Sequence, residues 1–318
     1  MSLRIVYMGT PEFAVFPLER LASSSHEVVA AVSQPDRPSG RSMRIQHTPV
    51  RRAAEQLGLA VCQPEKIRTE AFAEWLTAQK ADLIVTAAYG RILPANLLEI
   101  PRLGCLNIHA SLLPAYRGAS PVNTCIIQGA TETGITFMKM DEGMDTGDIL
   151  VQIPIRLPED MDAGTLSGIL SRLAADEILE VIDGWTAGRI LPKPQAHDRA
   201  TYTKPLKRDD GKVDWTCSAH IIHNLVRGTS PWPGAFTLLN GKRVKIHIAQ
   251  VSACGAEVSN AAAFPPGTVI SACPECIRVA CGEGTCLEIL SLQAEACRRL
   301  EARECFHNFR TGTVFGKE

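Results

Sequence analysis

DLIVTAAYGRILPANLLEIPRLGCLNIH, residues 82–109, holds two short apolar runs, each ending at turn-forming or polar residues. Leu83, Ile84 and Val85 are an uninterrupted apolar core for a strand over 82–88, and a second strand is predicted over 103–108. Continuous apolar runs of this length suit strands covered on both faces, whereas half-exposed strands alternate. Upstream, 3–8 is a further short apolar run closed by Gly9-Thr10-Pro11, with a helical stretch over 12–23. A strand over 27–32 buries Val28, Val29 and Val32. Thr48 and Pro49 fit the N-cap and first position of a helix that Gly58 ends. A short strand over 61–63 and a helix over 71–79 follow, and downstream come an outer strand over 135–140 and an amphipathic helix over 162–184. Strands alternating with helices predict an α/β domain with an open, Rossmann-like parallel sheet. Ligands of such sheets sit beyond the carboxyl ends of the strands. Asn107, His109 and the Gly9-Thr10-Pro11 turn lie at that end.

The pattern changes near residue 191. Pro192, Pro194 and Pro205 interrupt 191–207, which reads as a linker. After a short helix over 218–226, β-like pieces at 235–239, 244–251, 267–271, 277–280 and 286–292 are separated by Gly, Pro and Asn. They predict a small OB-like β-barrel. The expected organisation is a first domain over 1–190, a linker over 191–207 and a β-domain over 208–318.

Composition narrows the function classes. The 318 residues carry 33 basic and 34 acidic side chains, so no overall cationic field draws in nucleic acid, and any such binding needs a local patch. No apolar run approaches the ~20 residues of a membrane span. The N-terminal run is too short for a signal sequence, so a cytoplasmic protein without membrane attachment is expected. Eleven cysteines in a reducing compartment read as small apolar residues. The exception is Cys273, Cys276, Cys281 and Cys286. A CPEC knuckle invites zinc, but the second CxxC is missing and the alternation around it reads as a hairpin.

The chemistry concentrates between residues 103 and 148. Asn107, His109 and the acidic loop DEGMDTGD (141–148) offer a carboxamide, an imidazole and carboxylates, which together can polarise a carbonyl and move a proton. The loop lacks the alternating acids and closing Glu of an EF-hand. Gly-Thr-Pro-Glu after the first strand is not a dinucleotide fingerprint, and there is no Walker sequence. Taken singly, His109 reads as a structural histidine and the loop as a solvated turn.

LNIHASLLPAYRGASPVN followed by ETGITFMKMDEGMDTGDIL resembles the formyltransferases that use 10-formyltetrahydrofolate, whose members act on methionyl-tRNA, glycinamide ribonucleotide or sugar nucleotides. MGTPEFAV, QPDRPSGR (34–41), AYGRILP (88–94) and SPWPGA (230–235) resemble the methionyl-tRNA branch, and the likeness spans nearly the whole chain. The resemblance implies Asn107, His109 and Asp145 as the catalytic trio. It implies Ser111, Leu112, Leu113 and Pro114 as a folate-lining stretch, with Tyr89, Gly90, Ile92, Leu93 and Asp141 beside it. Arg41 matches an arginine on a loop that enters the acceptor end of the tRNA. The implied reaction is formyl transfer from 10-formyltetrahydrofolate, as co-substrate, to the α-amino group of initiator Met-tRNA, with no metal required. Asn107 and His109 would donate to the oxyanion of a tetrahedral intermediate. Asp145 would either orient a charged His109 or take the amine proton. A sugar-nucleotide formyltransferase and a non-catalytic tRNA-binding module are the alternatives.

Arg37, Arg41, Arg44, Arg51 and Arg52 cluster with His47 in a long loop and the helix after it, at the expected site edge. Arg37, Arg41, Arg44 and Lys207 are the expected tRNA contacts. Lys204 and Arg208 in and beside the linker, and Lys242, Arg243 and Lys245 in the β-domain, can also track phosphates. Trp215, Trp232 and Phe236 read as packing residues and His220 and His223 as ordinary helix residues; Arg117 can contact the folate or nucleic acid or hold its loop by hydrogen bonds, with loop support the favoured reading. A monomer is expected.

Overall fold

The structure, a computed structural model, describes residues 2–39, 44–252 and 261–316. Its packing divides into two units. Unit 1 comprises Met1–Pro121, Glu132–Arg156 and Thr165–Lys204, and unit 2 comprises Val122–Thr131, Leu157–Gly164 and Pro205–Glu318.

Unit 1 is built on seven strands: β1 (Arg4–Gly9), β2 (Glu27–Val32), β3 (Val61–Cys62), β4 (Leu83–Ala87), β5 (Cys105–His109), β6 (Glu132–Lys139) and β7 (Ile149–Arg156). They run in the order β7-β6-β5-β4-β1-β2-β3. The first five are parallel, and β6 and β7 are antiparallel additions. The central position of β1 explains its apolar run, because Ile5, Val6, Tyr7 and Met8 have no exposure to water. Chain order reverses on either side of β1, so the switch point of the sheet lies where Gly9 is in register with Ala87. A Cβ on Gly9 would lie 2.6 Å from the Ala14 Cβ and 3.0 Å from the Ala87 carbonyl oxygen, so close packing explains this glycine without a phosphate.

Helices Val15–Ala22, Pro49–Gln56, Glu70–Ala78 and Ala163–Thr186 accompany the sheet. The Thr48 hydroxyl accepts from the Arg51 amide at 3.2 Å, with Pro49 in the first turn, as its residue types predict. The strand β7 has no counterpart in the sequence reading. ILVQIPIR alternates in burial as a half-exposed strand does, and Pro154 is accommodated because β7 is the sheet edge.

The stretch read as a linker is bonded into unit 1 as far as Lys204. Lys193 and Ile149 exchange two backbone hydrogen bonds of 2.8 Å. Tyr202–Thr203 pairs in parallel with Arg117–Gly118. Prolines mark the absence of a long α-helix here, and they do not prevent an extended piece from pairing with another segment.

Unit 2 holds β8 (Ala235–Leu239), β9 (Lys242–Val251), β10 (Val269–Ala272), β11 (Ile277–Ala280), β12 (Cys286–Ala294) and β13 (Leu300–Glu301). The antiparallel path runs β8-β9-β12-β11-β10, with β13 on β12, in keeping with a small, partly open β-domain. Trp215 lies in its core and its indole N–H donates to the Thr237 hydroxyl at 2.9 Å. Phe236 is also buried, under the Arg243 guanidinium, whereas Trp232 is 59% exposed and is not a packing residue of the unit. Cys273 and Cys276 close the β10–β11 hairpin through reciprocal backbone bonds, with their sulfurs 3.9 Å apart.

Ile84→Ala, in the middle of the sheet, is expected to lower stability by about 2–5 kcal/mol, read as a fall in the urea midpoint of the transition that reports unit 1.

Candidate active site

Asn107 and His109 are the third and last residues of β5, on the same side of the strand. One residue in the neighbouring strand fixes Asn107. The Thr86 hydroxyl donates to Asn107 Oδ1 at 2.7 Å, which leaves Nδ2 as the donating end of the carboxamide. Thr86 is itself 3% exposed, a lone polar side chain within the apolar run of β4.

His109 is held between two acceptors. Its Nε2 lies 3.1 Å from the Tyr116 carbonyl oxygen, and a carbonyl only accepts, so Nε2 carries the proton. Its Nδ1 faces Asp145 Oδ1 at 3.6 Å, longer than a hydrogen bond. The other Asp145 oxygen accepts the Gly118 amide at 2.8 Å. Both bracketing residues have left-handed backbones, φ 60 at Tyr116 and φ 56 at Asp145. The acid loop is compact: Asp141 Oδ1 accepts from the Gly143 amide and the Thr146 hydroxyl. A Cβ on Gly147 would fall 1.9 Å from the Lys139 carbonyl oxygen.

A buried network stands behind this bracket. Arg117 is 1% exposed, which suits a side chain that supports its loop. Its guanidinium donates to Gln195 Oε1 at 2.6 and 3.2 Å, to the Tyr202 hydroxyl and to His197 Nδ1. Gln195 Nε2 in turn donates to the carbonyl oxygens of Asp145 (2.9 Å) and Gly147 (2.7 Å). Sequence reading missed Thr86, Gln195 and Tyr116. Thr86 carried a signal, as a hydroxyl inside a buried run. The other two act through a carboxamide in a proline-rich stretch and a backbone carbonyl, which leave none.

The folate-lining candidates are divided. Residues 89–93 follow β4 and 111–114 follow β5, so both border the expected edge of the sheet. Asp141 follows the antiparallel β6, whose end lies beside Cys105 at the start of β5, and it is Asp145, further along the loop, that reaches His109. Ile92 is 48% exposed, but Tyr89 and Leu93 are buried in a core cluster and only their main chain is offered. Burial, opposed by Arg91, pushes the Tyr89 phenol up to about 12. Ser111 is also buried, its hydroxyl spent on the Ala115 carbonyl. Leu113 donates its amide to Thr136, and a cis peptide joins it to Pro114. Leu112 packs towards Gly134, and Gly90 takes φ 81.

Three separated motifs meet at this edge. The Thr10 hydroxyl and the Gln34 carboxamide both donate to the Tyr89 carbonyl, and Arg91 donates to Gln34. In the basic loop, Arg37–Ser39 pairs antiparallel with Arg44–Gln46. Asp36 anchors its base, accepting from Gln63, the Thr48 amide, His47 and Arg51. Burial alone would raise the Asp36 pKa, but those bonds and the Arg51 charge outweigh it and hold the carboxyl at about 2. Arg37 is exposed, Arg41 lies outside the described residues, and so does the side chain of Arg44. Lys207 is exposed in unit 2. His220 and His223 line a cavity of about 560 Å³ in unit 2 with Glu159, Asp160 and Arg227. Among the described residues, no three His, Cys, Asp or Glu side chains are grouped to hold a metal.

The family described as formyl transferase matches residues 3–182, and its C-terminal domain matches 205–310. The chain belongs to the formyltransferase family. Within that family it is 44% identical over 315 residues to the methionyl-tRNA formyltransferase of Caldanaerobacter subterraneus subsp. tengcongensis, covering 98% of this chain and 99% of the relative. It is equally identical to the methionyl-tRNA formyltransferase of Geobacter sulfurreducens, over 99% and 98% of the two chains. Among solved structures, HypX from Aquifex aeolicus in complex with tetrahydrofolic acid shares the fold, with a TM-score of 0.62 at 16% identity over 96% of this chain and 47% of that one.

Two outcomes follow from the geometry. Thr86→Val keeps the side-chain shape and removes the bond that orients Asn107, so kcat is expected to fall on the order of tenfold, with circular dichroism unchanged. Asp36→Asn is expected to destabilise the protein above the unfolded carboxyl pKa of about 4. Because the folded pKa is the lower one, the wild-type advantage closes as the pH falls towards about 2, read by urea midpoints across that range.

Proposed function

We propose that this formyltransferase moves the formyl group of 10-formyltetrahydrofolate to the α-amino group of methionine on initiator Met-tRNA, preparing it for translation initiation. The observation that carries the reading is the full-length likeness to methionyl-tRNA formyltransferases at 44% identity. The neutral amine attacks the formyl carbon, a C–N bond forms and the carbonyl pair moves to oxygen. Collapse restores the carbonyl, the bond to N10 breaks, and the proton lost by the amine ends on N10, so tetrahydrofolate leaves neutral at that atom. No metal is needed for these steps.

Asn107 Nδ2, turned outward by Thr86, is the oxyanion donor. His109 and Asp145 form the proton-handling pair. A second oxyanion bond from His109 requires one ring nitrogen to leave its present partner, since Nε2 is bonded to Tyr116 and Nδ1 faces Asp145. The donor substrate lies along 89–93, 111–114 and the Asp141 loop, with Ile92 offering apolar surface. Arg37, Arg41 and Arg44 of the basic loop contact the tRNA, and unit 2 contributes Lys207. The reading includes a monomeric, cytoplasmic enzyme; among the described residues, no helix is long and apolar enough to cross a membrane.

Incubation with 10-formyltetrahydrofolate and Met-tRNA is expected to yield formyl-Met-tRNA, resolved by acid gel. Turnover of an amino-sugar nucleotide alone would overturn the reading. Asn107→Ala is expected to lower kcat by ~10²–10³ while the protein stays folded; a near-normal rate removes Asn107 from the mechanism.

A further inference from the structure

Each acceptor that brackets His109 is bonded to one and the same distant segment, residues 193–203. On the Nε2 side, Tyr116 is held through its amide, which donates to the Thr201 hydroxyl at 2.7 Å. The next amide, of Arg117, donates to the Thr201 carbonyl at 2.8 Å, and the Thr201 amide returns a bond to the Pro114 carbonyl. On the Nδ1 side, the Asp145 carbonyl accepts from Gln195 Nε2 at 2.9 Å. The left-handed backbone at Asp145 is unfavourable for a residue with a Cβ, so it persists only where the surroundings impose it. Gln195 imposes it at two carbonyls, those of Asp145 and Gly147, with the two hydrogens of one amide group.

Arg117 settles which way that carboxamide points. A guanidinium only donates, and of the two ends of a carboxamide only the oxygen accepts, so Oε1 faces the guanidinium and Nε2 faces the loop. The buried cation at one end and the two carbonyls at the other thus demand the same orientation of the carboxamide, which makes it a one-way clamp. We propose that Gln195, oriented by Arg117, is a positioning residue for the formyl-transfer reaction. It sets the Asp145 carboxylate opposite His109, and the 193–203 segment is an integral part of the active site. This rests on the catalytic reading of Asp145 given above.

The two halves of the clamp separate by mutation. Gln195→Glu keeps an acceptor for Arg117 but turns a carboxylate towards two carbonyls, and Gln195→Ala removes both halves. In each, kcat for Met-tRNA formylation is expected to fall about 10- to 100-fold, with both KM values within about twofold of wild type. In an Asp145→Asn background, Gln195→Ala is expected to cost little more, because a residue acting only through Asp145 has nothing left to position. Wild-type kcat in the folded Gln195 variants, a change confined to KM, or an equal loss in the Asp145→Asn background would overturn the proposal. Where Gln195→Ala does not fold, Gln195→Glu carries the test. A readout independent of turnover comes from the ring ¹⁵N resonances of His109, assigned with His109→Gln. They are expected to shift in Gln195→Glu without substrate, and unshifted resonances would overturn the clamp. Failure of the wild type to formylate Met-tRNA would instead overturn the functional reading and leave the ¹⁵N comparison to judge the clamp.

Discussion

A guanidinium with 1% exposure has to be satisfied inside the protein, because arginine does not escape its charge by losing a proton. At Arg117 the bonds go to a carboxamide, a phenol and an imidazole nitrogen, all in 195–202. The cation therefore draws a proline-rich segment across the carboxyl edge of the sheet and keeps it there. The orientation of Gln195, the path of the Asp145 loop and the bracket around His109 follow in sequence from that one requirement. A lysine would carry the same charge without the planar fork that contacts Gln195 through two nitrogens.

The same edge is stiffened from its other side. The turn after β1, the turn after β2 and the loop after β4 are joined at the Tyr89 carbonyl by Thr10 and Gln34, directly at the switch point. Loops are ordinarily the mobile part of an α/β fold. Here they are tied to each other by short side chains, and the Asp36 cluster ties the basic loop to Gln63 and the capped helix behind it. A site that must hold an amine against a carbonyl benefits from this order, since it removes motion that would otherwise be lost on binding.

The alternating apolar runs made the parallel part of the sheet readable, because β1, β2, β4 and β5 are buried on both faces and their residues say so. The strand β7 escaped because its exposed face and Pro154 imitate a loop, and only its place at the edge makes them tolerable. Asn107, His109 and Asp145 stood out as reactive types in a specific family pattern. Their supports did not: the partners of His109 and Asp145 are backbone carbonyls and amides, which every residue owns. Likewise Tyr89 and Leu93 belong to a folate-like motif, yet a motif does not say which of its side chains face inward, and these two do.

The order in which the chain is made gives the 193–203 segment another meaning. A nascent polypeptide that has emerged as far as β7 already contains all seven strands and all three reactive side chains. It lacks Gln195, Thr201 and the ladder of Tyr202–Thr203 on Arg117–Gly118, and its buried Arg117 has none of its three side-chain partners. The sheet can thus fold during synthesis while its chemistry stays unassembled, and the centre closes only after the segment leading into unit 2 has been synthesised.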